Sequence, residues 1–187
     1  MLISIVYDSG HGHTTRQAQA VAEGVNRVAG CEALLVPVSQ EIPWKSLASS
    51  AGIVFGSPTY NGTLSAKLKQ FFEDANKPVW VELKWRNKVA AGFTNSGAYS
   101  GDKLNTLVTM ALFAAQHAML WVGLDLKPGN ARSTGSPQEL NRLGGWLGAM
   151  AQSNMDEGPE VAPPDSDLRT AAHLGQRVAE IARRFSV

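Results

Sequence analysis

The sequence predicts a doubly wound α/β fold, in which helices cover both faces of a parallel sheet. Short apolar runs alternate with segments of helical periodicity along the chain, which is typical of such sheets. The 187 residues, 44% of them hydrophobic, suffice for one core, so we expect a single domain over 1–187. Polar, glycine-bearing loops follow three of the apolar runs. The expected arrangement is five parallel strands in the order 2-1-3-4-5.

The elements follow from the patterning of the chain. The predicted strands lie at about 2–7, 32–37, 52–56, 88–93 and 119–122. The predicted helices lie at about 14–28, 64–76, 102–117 and 167–184, with a short helical turn near 44–49. The first helix shows the spacing of a buried face, with Ala18, Val21, Ala22, Val25 and Val28 recurring at helical intervals.

One long segment, about 123–164, is irregular and rich in glycine and proline. A connection of this length within a compact domain is usually a functional lid or an assembly element.

Charge and composition exclude several classes of protein. Lys and Arg number 17 against 16 Asp and Glu, which gives no bias toward nucleic acid. We find no apolar run of membrane-spanning length, no signal peptide and a single cysteine, Cys31. We therefore expect a cytoplasmic protein with no intrachain disulfide, no membrane span and no metal site.

The first polar loop, 9–14, lies between a predicted strand and a predicted helix. The leading N–H groups of a helix have no partner within it, so this position favours an anion such as phosphate. Ser9 and Thr14 add hydroxyl donors, and Gly10 and Gly12 allow close approach of the backbone. The loop matches neither GxxxxGK[ST] nor GxGxxG. The alternative is a strand-to-helix turn whose glycines serve its geometry alone.

Two further loops, 57–63 and 94–102, follow the predicted third and fourth strands. The carboxyl ends of these strands and of the first strand open onto one crevice in a sheet of this order. The alternative is that the loops are polar simply because loops usually are. They contain no catalytic triad, metal motif or paired carboxylates, which suggests that a cofactor carries the reaction.

These three loops resemble those of the WrbA-type NAD(P)H:quinone oxidoreductases, which have a three-layer flavodoxin-like fold. The most specific match is Gly56-Ser57-Pro58-Thr59, followed downstream by Leu68, Lys69, Phe71 and Phe72. The loops 9–14 and 94–97 also match, and the resemblance covers about 2–122 and the last helix.

The resemblance implies noncovalent FMN and the residues that contact it. The phosphate would bind Ser9, Gly10, His11, Gly12, His13 and Thr14. The flavin ring would contact Pro58, Thr59, Tyr60, Asn61 and Gly62 on one side and Thr94, Asn95, Ser96, Gly97, Ala98, Tyr99 and Ser100 on the other.

The resemblance also gives roles to two residues outside these loops, His117 and Trp80, and a second role to His11. His117 falls where the family has a histidine near a flavin of a neighbouring subunit, although a histidine at a helix end has an ordinary structural explanation. Trp80 and His11 fall at positions associated with the substrates, His11 with the nicotinamide nucleotide.

The implied function is an FMN-dependent NAD(P)H:quinone reductase. Hydride would pass from NAD(P)H through flavin N5 to a quinone or a similar flat acceptor, with no obligate acid or base from the protein. We also expect a homodimer or homotetramer if the segment 123–164 is an assembly element. One alternative is a flavodoxin-type electron carrier, against which the near-neutral charge argues. Another is a flavin-free regulatory or scaffold protein.

Overall fold

The structure, a computed structural model, describes residues 1–185. Its strands are β1 (Leu2–Tyr7), β2 (Glu32–Pro37), β3 (Gly52–Tyr60), β4 (Thr63–Leu64), β5 (Val89–Ser96), β6 (Leu120–Trp121) and β7 (Ala149–Gln152). Its α-helices are α1 (His13–Asn26), α2 (Trp44–Ser49), α3 (Ala66–Asp74), α4 (Lys103–Gln116) and α5 (Asp165–Phe185). A π-helical turn, Asn76–Trp80, follows α3.

The sheet has the order β2-β1-β3-β5-β6, and the pairs along this path are parallel. Because β4 is a short antiparallel partner of β3, β5 is the fourth strand of the main sheet. The predicted flavodoxin-like order 2-1-3-4-5 is therefore confirmed. The switch point lies between β1 and β3, where their carboxyl ends direct the following loops to one edge.

The fifth position of the sheet differs from the single predicted strand at 119–122, because two separate strands fill it. The first half of β5 pairs with β6, as Val89 opposite Leu120. The second half pairs with β7, from Phe93 opposite Ala149 to Ser96 opposite Gln152. The chain between β6 and β7 leaves the sheet and returns. The segment predicted as irregular thus supplies a strand next to the loop that follows β5.

The predicted loop 57–63 is largely a β-hairpin. Strand β3 continues to Tyr60 and pairs with β4, with Thr59 opposite Leu64. Asn61 and Gly62 form the two-residue turn with φ of 49° and 83°. Positive φ at both positions is the requirement of the hairpin turn that Asn-Gly favours. This dipeptide was the sequence signal for the hairpin.

Two apolar cores lie on opposite faces of the sheet and complete the three predicted layers. On one face, buried residues of α1 and α5 pack against side chains such as Ile5 and Val54. On the other face, α2, α3 and α4 cover Val6 and Phe55. Among residues 1–185 no helix is long and apolar enough to cross a membrane.

Candidate functional site

The loop before α1 is built around the hydroxyl of Ser9. Its Oγ accepts hydrogen bonds from the amide of Gly12 at 3.1 Å and from that of Thr15 at 3.2 Å. A hydroxyl has two acceptor positions and one proton, so this arrangement leaves the proton of Ser9 free to donate. Gly12 is the N-cap of α1, with φ 87° and no side-chain cap. Ser9 satisfies the amide of Thr15, and the other amides of the first turn, together with the free hydroxyl proton, suit an anion.

The same loop packs against chain from the segment after β7. A Cβ on Gly12 would lie 2.8 Å from Cγ of Pro159, so the two stretches touch closely. The buried His13 places Nε2 at 2.8 Å from the carbonyl oxygen of Glu157. Because a carbonyl only accepts, Nε2 is the protonated nitrogen of this ring. His13 therefore ties the loop to a distant part of the chain.

A cavity of about 230 Å³ joins the three predicted loops at the carboxyl edge of the sheet. Its lining consists of Gly10, His11, His13, Thr14, Pro58, Thr59, Tyr60, Asn95, Ser96, Gly97, Ser153 and Met155. Tyr60 is 43% exposed and Met155 is 91% exposed, so both lie at an open mouth. The structure thus brings together loops that are far apart in sequence, as predicted for a sheet of this order.

Three threonine hydroxyls link the elements beneath this cavity. Oγ1 of Thr59 lies 2.8 Å from Oγ1 of Thr94 and 2.7 Å from Oγ1 of Thr106, and all three side chains are buried. They join the ends of β3 and β5 to α4. Thr94, predicted to contact the cofactor, therefore supports the cavity floor and is not among the lining residues.

The loop after β5 is held by residues at the end of β7. The hydroxyl of Ser153 donates to Oδ1 of Asn95 at 3.0 Å, and the Ser153 amide donates to the carbonyl of Ser96. Nε2 of Gln152 donates to the carbonyl of Gly97 at 3.1 Å. These bonds fix three successive residues that line the cavity.

A buried ion pair supports this end of β7. Nε of Arg142 lies 2.7 Å from Oδ1 of Asp167, and the second guanidinium donor reaches Oδ2 at 2.8 Å. Oδ2 also accepts the amide of Gln152. Burial opposes the charge of Arg142, yet the hydrogen bonds and negative charge of Asp167 raise its pKa overall. The guanidinium therefore stays charged while the pair anchors β7.

Tyr60 keeps its proton at neutral pH. Burial raises the pKa of its hydroxyl, and the charge of the nearby Asp8 carboxylate raises it further. Its hydroxyl also covers Gly10, since a Cβ on that glycine would lie 2.5 Å from the Tyr60 oxygen. Tyr60 is therefore a neutral hydrogen-bond donor beside the anion loop.

Several predicted contacts lie outside the cavity. Asn61 and Gly62 form the hairpin turn. Ala98 is exposed, and Tyr99 and Ser100 border a different cavity of about 1090 Å³ beside Arg142. The Tyr99 ring lies 5.6 Å from the Arg142 guanidinium carbon, a cation–π distance. The loop turns away from the first cavity after Gly97.

Within one chain, His117 and Trp80 also lie outside this cavity. His117 is 1% exposed at the end of α4, where its ring lies 4.4 Å from Phe113 and 4.8 Å from Trp85. Burial lowers the pKa of His117 to about 4, so the ring is neutral at physiological pH. Trp80 donates its indole N–H to the carbonyl of Gln116. Both border a separate cavity between α3 and α4.

The sequence interpretation missed the residues contributed by the segment after β7, including Ser153, Met155 and Glu157. A signal for them existed. The run Ala149-Met150-Ala151 is followed by Gln152-Ser153-Asn154, the same change from apolar to polar seen at the other strand ends.

The residues present fit a flat cofactor with a phosphate tail. The anion loop lies at one end, and backbone groups of two strand ends flank the other. Residues 1–185 contain no group of three or more His, Cys, Asp or Glu side chains placed to hold a metal ion. Fold and cavity together define a flavodoxin-like protein with a site suited to such a cofactor.

Comparisons with known proteins give the family. The family described as NADPH-dependent FMN reductase matches residues 43–123. Flavodoxin FldP of Pseudomonas aeruginosa is 40% identical over 186 residues, which cover 97% of this chain and 96% of that protein. A Geobacter sulfurreducens protein named NAD(P)H dehydrogenase (quinone) is 32% identical, with 100% of both chains covered. The crystal structure of a flavodoxin, WrbA-like protein from Agrobacterium tumefaciens superposes with a TM-score of 0.76 at 38% identity, covering 98% of both chains.

The chain belongs to the WrbA-type flavodoxin-like family. This membership confirms the family resemblance seen in the sequence and the expected cofactor, noncovalent FMN. It also confirms the expected class of enzyme, a flavin-dependent NAD(P)H oxidoreductase.

Proposed function

We propose that this protein is an NAD(P)H:quinone oxidoreductase that uses FMN in the cavity between Ser9–Thr14 and Asn95–Gly97. The open cavity itself carries the proposal, because an anion loop at one end and an exposed mouth at the other suit a phosphate-tailed ring that must meet a second flat molecule. The names of two relatives, at 32% and 31% identity, agree with this reaction.

The chain supplies binding and orientation. The amides at the start of α1 and the Ser9 hydroxyl would hold the phosphate, while Pro58–Tyr60 and Asn95–Gly97 flank the ring. FMN, when bound, supplies hydride acceptance from NAD(P)H and electron donation to the quinone. We assign no obligate acid or base, and Tyr60 provides a neutral hydroxyl at the mouth.

The substrates would approach through the open mouth. Tyr60 and Met155 offer an aromatic and an apolar surface there, which suits a quinone ring. The exposed His11 lies at the rim of the same cavity, and we retain it as a contact of the nicotinamide nucleotide. We place the reaction in the cytoplasm.

The test is anaerobic spectroscopy of the FMN-loaded protein. NADH or NADPH should bleach the flavin absorbance, and benzoquinone should restore it. Bleaching with no response to quinones would refute the acceptor assignment. Failure of both nucleotides to bleach the flavin would favour the electron carrier, a function consistent with the name of the Pseudomonas aeruginosa relative.

We also propose that the protein forms a homodimer or homotetramer through α4. The exposed face of this helix carries Leu104, Val108 and Leu112, and its one charged residue, Lys103, is buried. An uncharged apolar stripe of this kind is typical of an interface. Sedimentation should show a dimer or tetramer that Leu112→Glu dissociates, and a wild-type monomer at micromolar concentration would contradict the proposal.

A further inference from the structure

A buried lysine donates hydrogen bonds to the loop that turns away from the cavity after β5. Lys103, the first residue of α4, is 1% exposed. Its Nζ donates to Oγ of Ser96 at 3.0 Å and to the carbonyls of Ala98 and Tyr99 at 2.7 and 2.8 Å. An ammonium group has three protons, so all of its donors are used on this one loop.

This position is costly for a cation. The beginning of a helix carries partial positive charge, which disfavours lysine there, and burial removes water from the ammonium group. Burial lowers the pKa of Lys103 to about 8; the negative charge of Asp167 raises it and the positive charge of Arg142 lowers it. Within the described residues 1–185, no carboxylate lies at ion-pair distance from Lys103. The nearby Asp167 pairs with Arg142 instead. The loop oxygens are what satisfy this buried charge.

The contact with Ser96 extends to the cavity itself. The Ser96 hydroxyl accepts from Lys103 and donates its own proton to the carbonyl of Ala98 at 2.9 Å. Ser96 and Gly97 both line the cavity, and Gln152 holds the carbonyl of Gly97 from the opposite side. Lys103 and β7 thus fix the loop from two directions.

We propose that Lys103 is a positioning residue, whose ammonium group holds the Ser96–Tyr99 loop so that Ser96 and Gly97 face the flavin ring, and that FMN binding weakens when the ammonium loses its proton. This inference rests on the proposed FMN site. A neutral amine has only two N–H donors for three oxygens and loses the added strength of a charged donor.

Several other charged or titratable groups lie around Lys103. Arg142, from the segment before β7, stays charged because Asp167 raises its pKa, and Asp167 of α5 is held in that ion pair. The Tyr99 phenol lies on the loop itself and faces Arg142, and Asp102 precedes Lys103 in the chain. Replacing Lys103 alone therefore separates its contribution from theirs.

The experiment measures FMN affinity by quenching of flavin fluorescence between pH 6.5 and pH 9. Wild-type affinity should fall about tenfold across this range, the equivalent of one charged hydrogen bond. Lys103→Met should bind at least about tenfold more weakly at pH 7, with little further change at pH 9. Lys103→Arg, which keeps its charge, should flatten the profile.

Lys88→Met is the matched control. Lys88 is another lysine whose pKa burial lowers, and its Nζ donates to the carbonyl of Ser50 at the opposite end of β5. This variant should bind FMN with the wild-type pH profile. The inference is overturned if wild-type affinity is constant with pH, or if Lys103→Met binds FMN as tightly as the wild type at pH 7. If Lys103→Met does not fold, an unchanged profile in Lys103→Arg overturns it equally. A wild-type protein that binds no FMN at any pH refutes the cofactor site itself, a separate result.

Discussion

The two ends of the cavity are stabilised in different ways. In the anion loop the hydrogen bonds of Ser9 are local, from amides only three and six residues away, and His13 adds one bond to the distant Glu157. The loop after β5 depends on distant chain, since Ser153 and Gln152 hold Asn95 and Gly97 across more than fifty residues. Local sequence can therefore specify the turn around Ser9 at the phosphate end of the cavity, whereas the loop after β5, at the ring end, is held by distant chain.

The largest expected effect comes from breaking the Arg142–Asp167 ion pair, which supports the end of β7 and, through it, the loop after β5. Asp167→Asn leaves the buried Arg142 guanidinium without its counter-charge, which should cost about 3–5 kcal/mol of unfolding free energy. Riboflavin and FMN should both bind more weakly. Urea unfolding and flavin titration measure the two effects.

Asp165→Asn provides the control for this prediction. Asp165 pairs with Arg169 on the same helix, but both side chains are substantially exposed. Its loss should cost less than about 1 kcal/mol. Equal destabilisation by the two variants would show that the buried Arg142–Asp167 pair contributes no more stability than an exposed ion pair.

The next effect concerns His117, which lies in the core outside the cavity. Its pKa is lowered to about 4 in the folded state, so between pH 6.5 and pH 4 the unfolded chain binds a proton that the folded chain does not. Stability should therefore fall with decreasing pH, by about 2 kcal/mol between pH 7 and pH 5. His117→Leu should remove most of this loss and leave FMN affinity at pH 7 unchanged. A variant that keeps the full acid sensitivity would exclude His117 as its source.

A smaller effect should separate the phosphate end from the ring end. Gly12→Ala places a Cβ at φ 87° and within 2.8 Å of Pro159, so the amides of the anion loop must shift. FMN affinity should fall at least about tenfold, while riboflavin, which lacks the phosphate, is little affected. Gly30→Ala has a similar φ of 79° but open space around it. It should lose stability through backbone strain and retain FMN affinity.

The smallest predicted effect is that of Ser153→Ala. Removing this hydroxyl leaves Oδ1 of Asn95 without its buried donor, which should weaken flavin binding by about 1 kcal/mol. Calorimetric titration would measure the change, with the exposed Ser133→Ala as the unaffected control. Full wild-type affinity in Ser153→Ala would mean that β7 does not support the ring end.

The two ends of the cavity also differ in how well they could be predicted from the sequence. The strand-loop-helix pattern at Ser9–Thr14 could be recognised because the hydrogen bonds around Ser9 are local. The sheet order was also predictable, since apolar runs alternate with helical segments. The split fifth strand was not, because β7 is recognisable only through its pairing with β5. For the same reason the sequence assigned contacts to Ala98, Tyr99 and Ser100 but not to Ser153. Without the fold, nothing shows that Lys103 holds the carbonyls of that loop.

The central claim is that two ends of the cavity, stabilised in different ways, bind the phosphate and the ring of one cofactor. Its most direct test is a paired titration with FMN and riboflavin. It compares the wild type with Gly12→Ala and Ser153→Ala at pH 7. We predict that Gly12→Ala weakens FMN binding far more than riboflavin binding, whereas Ser153→Ala weakens both by the same factor. Equal losses of both ligands in Gly12→Ala would contradict the assignment of the phosphate to Ser9–Thr14.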